Sequence, residues 1–100
     1  MKYVSTRGST SEQTFEDVLL SGLARDGGLF VPTEWPHVSL AEIAALAPLS
    51  YTQIVTRIVR PFIEDTLVSD AELTRIVDQA YDEFRDPAIA PLRQLDDDTW

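Results

Sequence analysis

The hundred residues contain no cysteine, a single lysine (Lys2), a single histidine (His37) and only four glycines. Without cysteine there is neither a disulfide framework nor a thiolate metal site, a composition that suits a reducing cytoplasm. Cations are scarce as well. Eight Lys and Arg stand against seventeen Asp and Glu, for a formal net charge of −9. That sign argues against nucleic acid and anionic membranes as partners, because both need clustered cations to neutralise phosphate. Long apolar runs are missing too: Met1 to Ser5 lacks the apolar core of a signal peptide, and no stretch approaches the roughly 20 residues of a membrane span. A soluble cytoplasmic protein is the expectation. No Walker sequence, G-x-S-x-G or H-E-x-x-H occurs. His37 has no Ser/Asp or Cys set around it, so it is expected as an exposed loop residue and not as a base or metal ligand.

What remains is an apolar content of 44%, enough for a modest core, and a sharply uneven distribution of charge. Up to Thr33, Lys2, Arg7 and Arg25 face Glu12, Glu16, Asp17 and Asp26, a net of −1. From Glu64 to Asp86, eight acids face Arg75 and Arg85, a net of −6. A nearly neutral head is followed by an acidic helical body, its acids expected on a solvated face.

The chain is organised around Thr14 to Pro32. Phe15, Val18, Leu19 and Leu23 recur at helical spacing behind Thr14, whose capping partner is Asp17 three residues on. Gly22 loosens the last turn, Arg25 suits a helix C-terminus, and Asp26-Gly27-Gly28 can take positive φ. Leu29-Phe30-Val31 then reads as a strand, and Tyr3-Val4-Ser5 as a short edge strand entering a loop over Thr6 to Gln13. Trp35, between Pro32 and Pro36 on a surface loop, is expected as a packing anchor.

Three more helices open with S-x-x-E/Q at Ser39, Ser50 and Ser69. The first carries Leu40, Ile43, Ala44 and Ala47 on one stripe and ends at Pro48. The second, about Ser50 to Ile63, has an apolar face of Tyr51, Ile54, Val55, Ile58, Val59 and Phe62 fit for a central core helix, with Pro61 forcing a turn near its end. The third, about Asp70 to Arg85, has Leu73, Ile76, Val77, Ala80, Tyr81 and Phe84 on one face, and Asp86-Pro87 breaks it. The following segment is irregular, and the acidic turn Asp96-Asp97-Asp98 leads through Thr99-Trp100 toward a strand. The fold class is therefore α+β, predominantly helical, with about four helices and two short strands near the N-terminus.

Only one stretch is chemically suggestive. Ser5-Thr6-Arg7-Gly8-Ser9-Thr10-Ser11 sets hydroxyls and a guanidinium beside a flexible glycine, which suits a phosphate or carboxylate. A capped surface loop in which Arg7 pairs with a local acid fits the same residues.

The motifs as a set carry a resemblance. Tyr3, Ser5, Thr6, Arg7 and Gly8, then Phe15, Glu16, Leu19, Gly22, Leu23 and Ala24, then Asp26-Gly27-Gly28-Leu29-Phe30-Val31-Pro32 and Trp35-Pro36, closely resemble the amino-terminal end of threonine synthase. The resemblance implies an amino-terminal domain over residues 1–95, with 96–100 beginning the connection to a catalytic domain. It implies pyridoxal phosphate as cofactor of the complete enzyme, O-phosphohomoserine as substrate, and threonine and phosphate as products. Substrate contact would fall to Ser5, Thr6 and Arg7. Pyridoxal phosphate needs a lysine and a phosphate cradle at a helix N-terminus. Lys2 sits at the chain terminus and Gly27-Gly28 follows a helix, so the piece alone is expected to bind no cofactor and to be inert. A free-standing acidic helical module that binds a partner protein is the competing class, and an anion-sensing domain built on Arg7 is a third.

Overall fold

Tyr3 is where the two halves of the molecule meet. Its backbone pairs with Pro32 on one side and exchanges hydrogen bonds with Gln13 on the other. Its ring packs against Phe15, centroids 6.2 Å apart, and its hydroxyl donates to the carbonyl of Phe62 at 2.5 Å. Burial raises the phenol pKa above its ordinary value, and the carboxylate of Glu64 adds to the rise. One side chain thus joins the first strand, the first helix and the turn between the last two helices.

The structure is a computed structural model that describes residues 1–9, 11–64, 66–86 and 88–100. The chain runs β1 (Tyr3–Ser5), α1 (Phe15–Ser21), β2 (Phe30–Pro32), α2 (Leu40–Leu46), α3 (Tyr51–Val59), a 3₁₀ turn (Arg60–Phe62) and α4 (Asp70–Tyr81). β1 and β2 form an antiparallel ribbon in the register Tyr3–Pro32, Val4–Val31, Ser5–Phe30. The α+β, mainly helical architecture expected from the sequence is what forms. Thr10, expected in the hydroxyl-rich loop, Asp65, one of the acids of the helical body, and Pro87, the expected helix breaker, lie outside the described residues.

Helix starts follow the capping residues. Thr14 with Asp17, Ser39 with Glu42 and Ser50 with Gln53 form complete capping boxes, each polar side chain closing on the other's backbone N–H. At Ser69 only half of the box forms. Its hydroxyl accepts the Glu72 N–H at 3.3 Å, whereas the Glu72 carboxylate turns to Arg75 at 3.3 Å.

Helix ends depart further from expectation at α1 and α4, whereas α3 ends in the turn expected at Pro61. α1 stops at Ser21 because Gly22 itself takes φ 70 and donates to the Val18 carbonyl, so Leu23 lies past the helix. α3 tightens at Val59 into the 3₁₀ turn that Pro61 imposes, as its missing N–H requires. α4 ends at Tyr81 and not at Arg85. Its next residues, Asp82 and Glu83, are acids at the negative end of the dipole, with no cation in the last turn.

Burial is thin. Among the described residues, Tyr3, Ala24, Leu73 and Val77 are the buried apolar ones, and Ser5 is the buried polar one. α3 and α4 pack on each other through Leu73 and Val77, extended by Tyr51 edge-on to Tyr81 at 5.2 Å and Tyr81 against Phe84 at 5.1 Å. Arg60 clamps the connection between them, donating to the carbonyls of Ile63 and Val68 and to the Asp70 carboxylate. Several expected core faces are uncovered. On α1, Leu19 is exposed, and so are Leu20 and Leu23 beside it. The α2 stripe of Leu40, Ile43, Ala44 and Ala47 is exposed throughout, with only Leu46 half-buried. Ile76 of α4, Phe84 beyond its end and Ile58 of α3 also meet solvent. Trp35, expected as a packing anchor, touches Phe62 edge-on at 6.1 Å yet remains 72% exposed.

Candidate functional site

The polar loops at the open end of the ribbon are knotted around one carboxylate. Asp26 accepts from the Ser5 hydroxyl at 2.7 Å and the Gly28 N–H at 2.9 Å through Oδ1. Through Oδ2 it accepts from the Ser9 hydroxyl at 2.5 Å and the Ser9 N–H at 3.3 Å. These donors hold its carboxyl well below the usual carboxylate range, the Ser9 hydroxyl contributing most and the Ser5 hydroxyl next. The loop 5–9 and the turn 26–28 are thereby tied together. Thr6 completes the tie, its N–H donating to the Leu29 carbonyl at 2.8 Å and its hydroxyl accepting the Leu29 N–H at 3.0 Å.

Arg7 occupies the crest of this knot. Its Nη1 donates to the backbone carbonyl of Asp26 at 3.0 Å, and the rest of an exposed guanidinium faces solvent. Pairing with a local acid was one reading of the sequence. The structure instead gives Arg7 the neutral carbonyl of the very residue whose carboxylate is occupied by hydroxyl and amide donors. Among the described residues no carboxylate forms an ion pair with Arg7, and a planar fork of N–H groups is left able to meet an anion.

The turn beneath is glycine for steric reasons. A Cβ on Gly28 would stand 2.2 Å from the Ser5 hydroxyl and 3.0 Å from Asp26 Oδ1, and one on Gly27, at φ +76, would stand 3.2 Å from Arg7 Nη1. Sequence reasoning singled out Ser5, Thr6 and Arg7, and the structure brings all three to one end of the ribbon. Ser5 is buried with its hydroxyl on Asp26, whereas Thr6 and Arg7 are exposed. Asp26 and Ser9 were missed as site residues. The signal for Asp26 was present in its position before two glycines, but nothing local says that its partners lie 17 and 21 residues upstream.

Beside the knot lies a cleft of about 640 Å³ lined by Ser9, Gln13, Asp17, Arg25 and Asp26 among others. A more apolar groove of about 400 Å³ between α2 and α3 is lined by Leu46, Ile58, Phe62 and the exposed His37. No group of three His, Cys, Asp or Glu residues able to hold a metal is found among the described residues. Within that same range, no helix is long and apolar enough to cross a membrane.

Fold and site together define a small α+β module: a helical layer beside a two-stranded ribbon whose loops present one fixed guanidinium. Comparison with known proteins identifies its family. The profile described as "Threonine synthase N terminus" matches residues 2–81. Threonine synthase of Pseudomonas aeruginosa is 45% identical over 100 residues, covering 100% of this chain and 21% of the relative. That of Schizosaccharomyces pombe is 39% identical over 95 residues, covering 95% of this chain and 18% of the relative. Among solved structures, the pyridoxal-phosphate-bound threonine synthase from Brucella melitensis superposes with a TM-score of 0.88 at 43% identity, over 97% of this chain and 21% of the other. Yeast threonine synthase gives 0.84 at 34% identity, over 90% and 18%. The chain belongs to the threonine synthase N-terminal family, and it spans about a fifth of the length of the relatives it matches.

The pyridoxal phosphate carried by the Brucella enzyme does not fit the residues of this chain. Lys2, the only amine side chain, is exposed just before β1. The Gly28 N–H already serves Asp26, and the glycine pair precedes a strand and not a helix N-terminus.

Proposed function

We propose that this chain is the amino-terminal domain of a threonine synthase whose complete form converts O-phosphohomoserine and water to L-threonine and phosphate. Pyridoxal phosphate is then held by the larger part of the enzyme, and these hundred residues alone catalyse nothing. The observation that carries this reading is surface. The chain exposes 7788 Å², whereas a self-contained protein of 11.2 kDa exposes about 5,700 Å². The excess, about 2,100 Å², is of the order that a permanent interface removes from water. The Cα radius of gyration agrees, at 16.6 Å against about 13 Å for a compact hundred-residue domain.

The exposed leucines of α1 and the stripe of α2 supply the apolar part of that surface, which suits docking on a catalytic domain. Their exposure equally supports the second reading, a free-standing module that binds a separate protein. Within the first reading, Arg7 meets the phosphate monoester of the substrate through its fork, and Thr6, which accepts the Leu29 N–H, donates its own hydroxyl proton. Ser5 serves the same site from below by holding the loop.

The test is direct. Phosphate release from O-phosphohomoserine is measured for the full-length protein and for residues 1–100, each supplied with pyridoxal phosphate. Release by the full-length protein alone is expected. Turnover by the hundred residues, or none by the full-length protein, refutes the assignment.

A further inference from the structure

We infer that Asp26 is a positioning residue for Arg7, and that the Asp26-Gly27-Gly28 turn exists to present that guanidinium to a phosphate monoester. The inference rests on the reading of Arg7 as a substrate ligand and goes beyond it by naming what fixes Arg7. A free arginine side chain carries rotamer entropy that a ligand must otherwise remove on binding. Three features of the knot remove it beforehand.

The first is a staple on both sides. Ser5 and Ser9, two residues before and two residues after Arg7, both donate to the one Asp26 carboxylate, and the Arg7 N–H itself donates to the Ser5 hydroxyl at 3.2 Å. The second is the Asp26 carbonyl, which fixes Nη1 at 3.0 Å. The third is the bare floor. Arg7 lies over Gly27, where a methyl group would come within 3.2 Å of Nη1 and 3.6 Å of Cζ. The chemistry is asymmetric in a useful way. Asp26 spends its negative charge on hydroxyl and amide donors and gives Arg7 only a carbonyl, so a ligand phosphate need not displace a carboxylate from the guanidinium. The two halves of the sequence resemblance, Ser5 to Gly8 and Asp26 to Gly28, become two halves of one device.

The experiment is a double-mutant cycle on the full-length protein, with inorganic phosphate as probe and its dissociation constant read by calorimetry. KM and kcat for O-phosphohomoserine are measured alongside. Arg7→Ala should weaken phosphate by about 10 to 100-fold, the range for a hydrogen-bonded charge contact. Asp26→Asn should weaken it by about 10-fold in the native background and by less than about 2-fold on top of Arg7→Ala, because both changes disable one contact. The loss should appear in KM more than in kcat, and bound pyridoxal phosphate, assayed after alkaline release, should stay constant.

If Arg7→Ala weakens phosphate and Asp26→Asn does not, the positioning role fails while the Arg7 reading stands. Equal losses from Asp26→Asn in both backgrounds also refute it. No effect of Arg7→Ala, or a fall in cofactor content in place of the phosphate effect, removes both readings. Should Asp26→Asn fail to fold, Ser9→Ala takes its place in the same cycle, with an expected loss of about 3-fold in the native background only.

Discussion

The ribbon end and the α3–α4 pair are held together by different forces. Around Asp26, order comes from directional bonds between hydroxyls, amides and one carboxylate, while Tyr3 and Ala24 are the buried apolar residues nearby among those described. Between α3 and α4 it comes from Leu73, Val77 and the Tyr51–Tyr81 contact, with Arg60 closing the loop. Hydrogen bonds fix angles and distances but contribute little net stability each, whereas apolar burial stabilises without specifying direction. A region that must hold a guanidinium at one point is built from the first, and a region that must only persist is built from the second.

That contrast can be broken, beginning with its largest consequence. Leu73→Ala, in the 4% exposed centre of the pair, should cost about 3 kcal/mol in urea unfolding. A cost below about 1 kcal/mol would mean that α4 does not depend on this packing. Next, Ser50→Ala removes a complete capping box and should cost about 1 kcal/mol, and Ser69→Ala, which removes half of one, should cost less. Equal losses would deny that the Glu72 turn toward Arg75 weakens the second cap.

The smallest global effect should come from acid, and it should be local. The Asp26 carboxyl is held below its ordinary value in the folded chain, so its stabilisation is fully present above the unfolded value of about 3.9 and fades as pH falls toward the folded value. Protection of the Ser9 and Gly28 amides, whose N–H groups it accepts, should therefore fall relative to their intrinsic exchange rates as pH drops below about 4, before the interior of α3 changes. Asp26→Asn should abolish that dependence. Simultaneous loss in both regions would show that the knot has no separate stability.

Much of the helical layer was legible because its signals are local. Ser39, Ser50 and Ser69 each meet a partner three residues on, and Pro61 lacks its N–H whatever surrounds it. The burial of those helices was not legible in the same way. The periodicity of Leu40, Ile43, Ala44 and Ala47 states that one face of α2 is apolar, yet it cannot state whether this chain covers it, and here solvent meets it. The site divides similarly. Arg7 and its hydroxyl neighbours stood out by composition, while the carboxylate that organises them did not, since Asp26 looked like any residue opening a glycine turn.

Sequence alone determined the elements and their starts, because capping, proline and period act over three or four residues, and it pointed to the family through the resemblance of its motifs. Only the tertiary structure decided that Asp26 reaches back to Ser5 and Ser9, that Arg7 rests over Gly27, and that the leucines of α1 are left uncovered. Contacts across 17 and 21 residues depend on how β1 and β2 close the ribbon, and no local pattern encodes that closure.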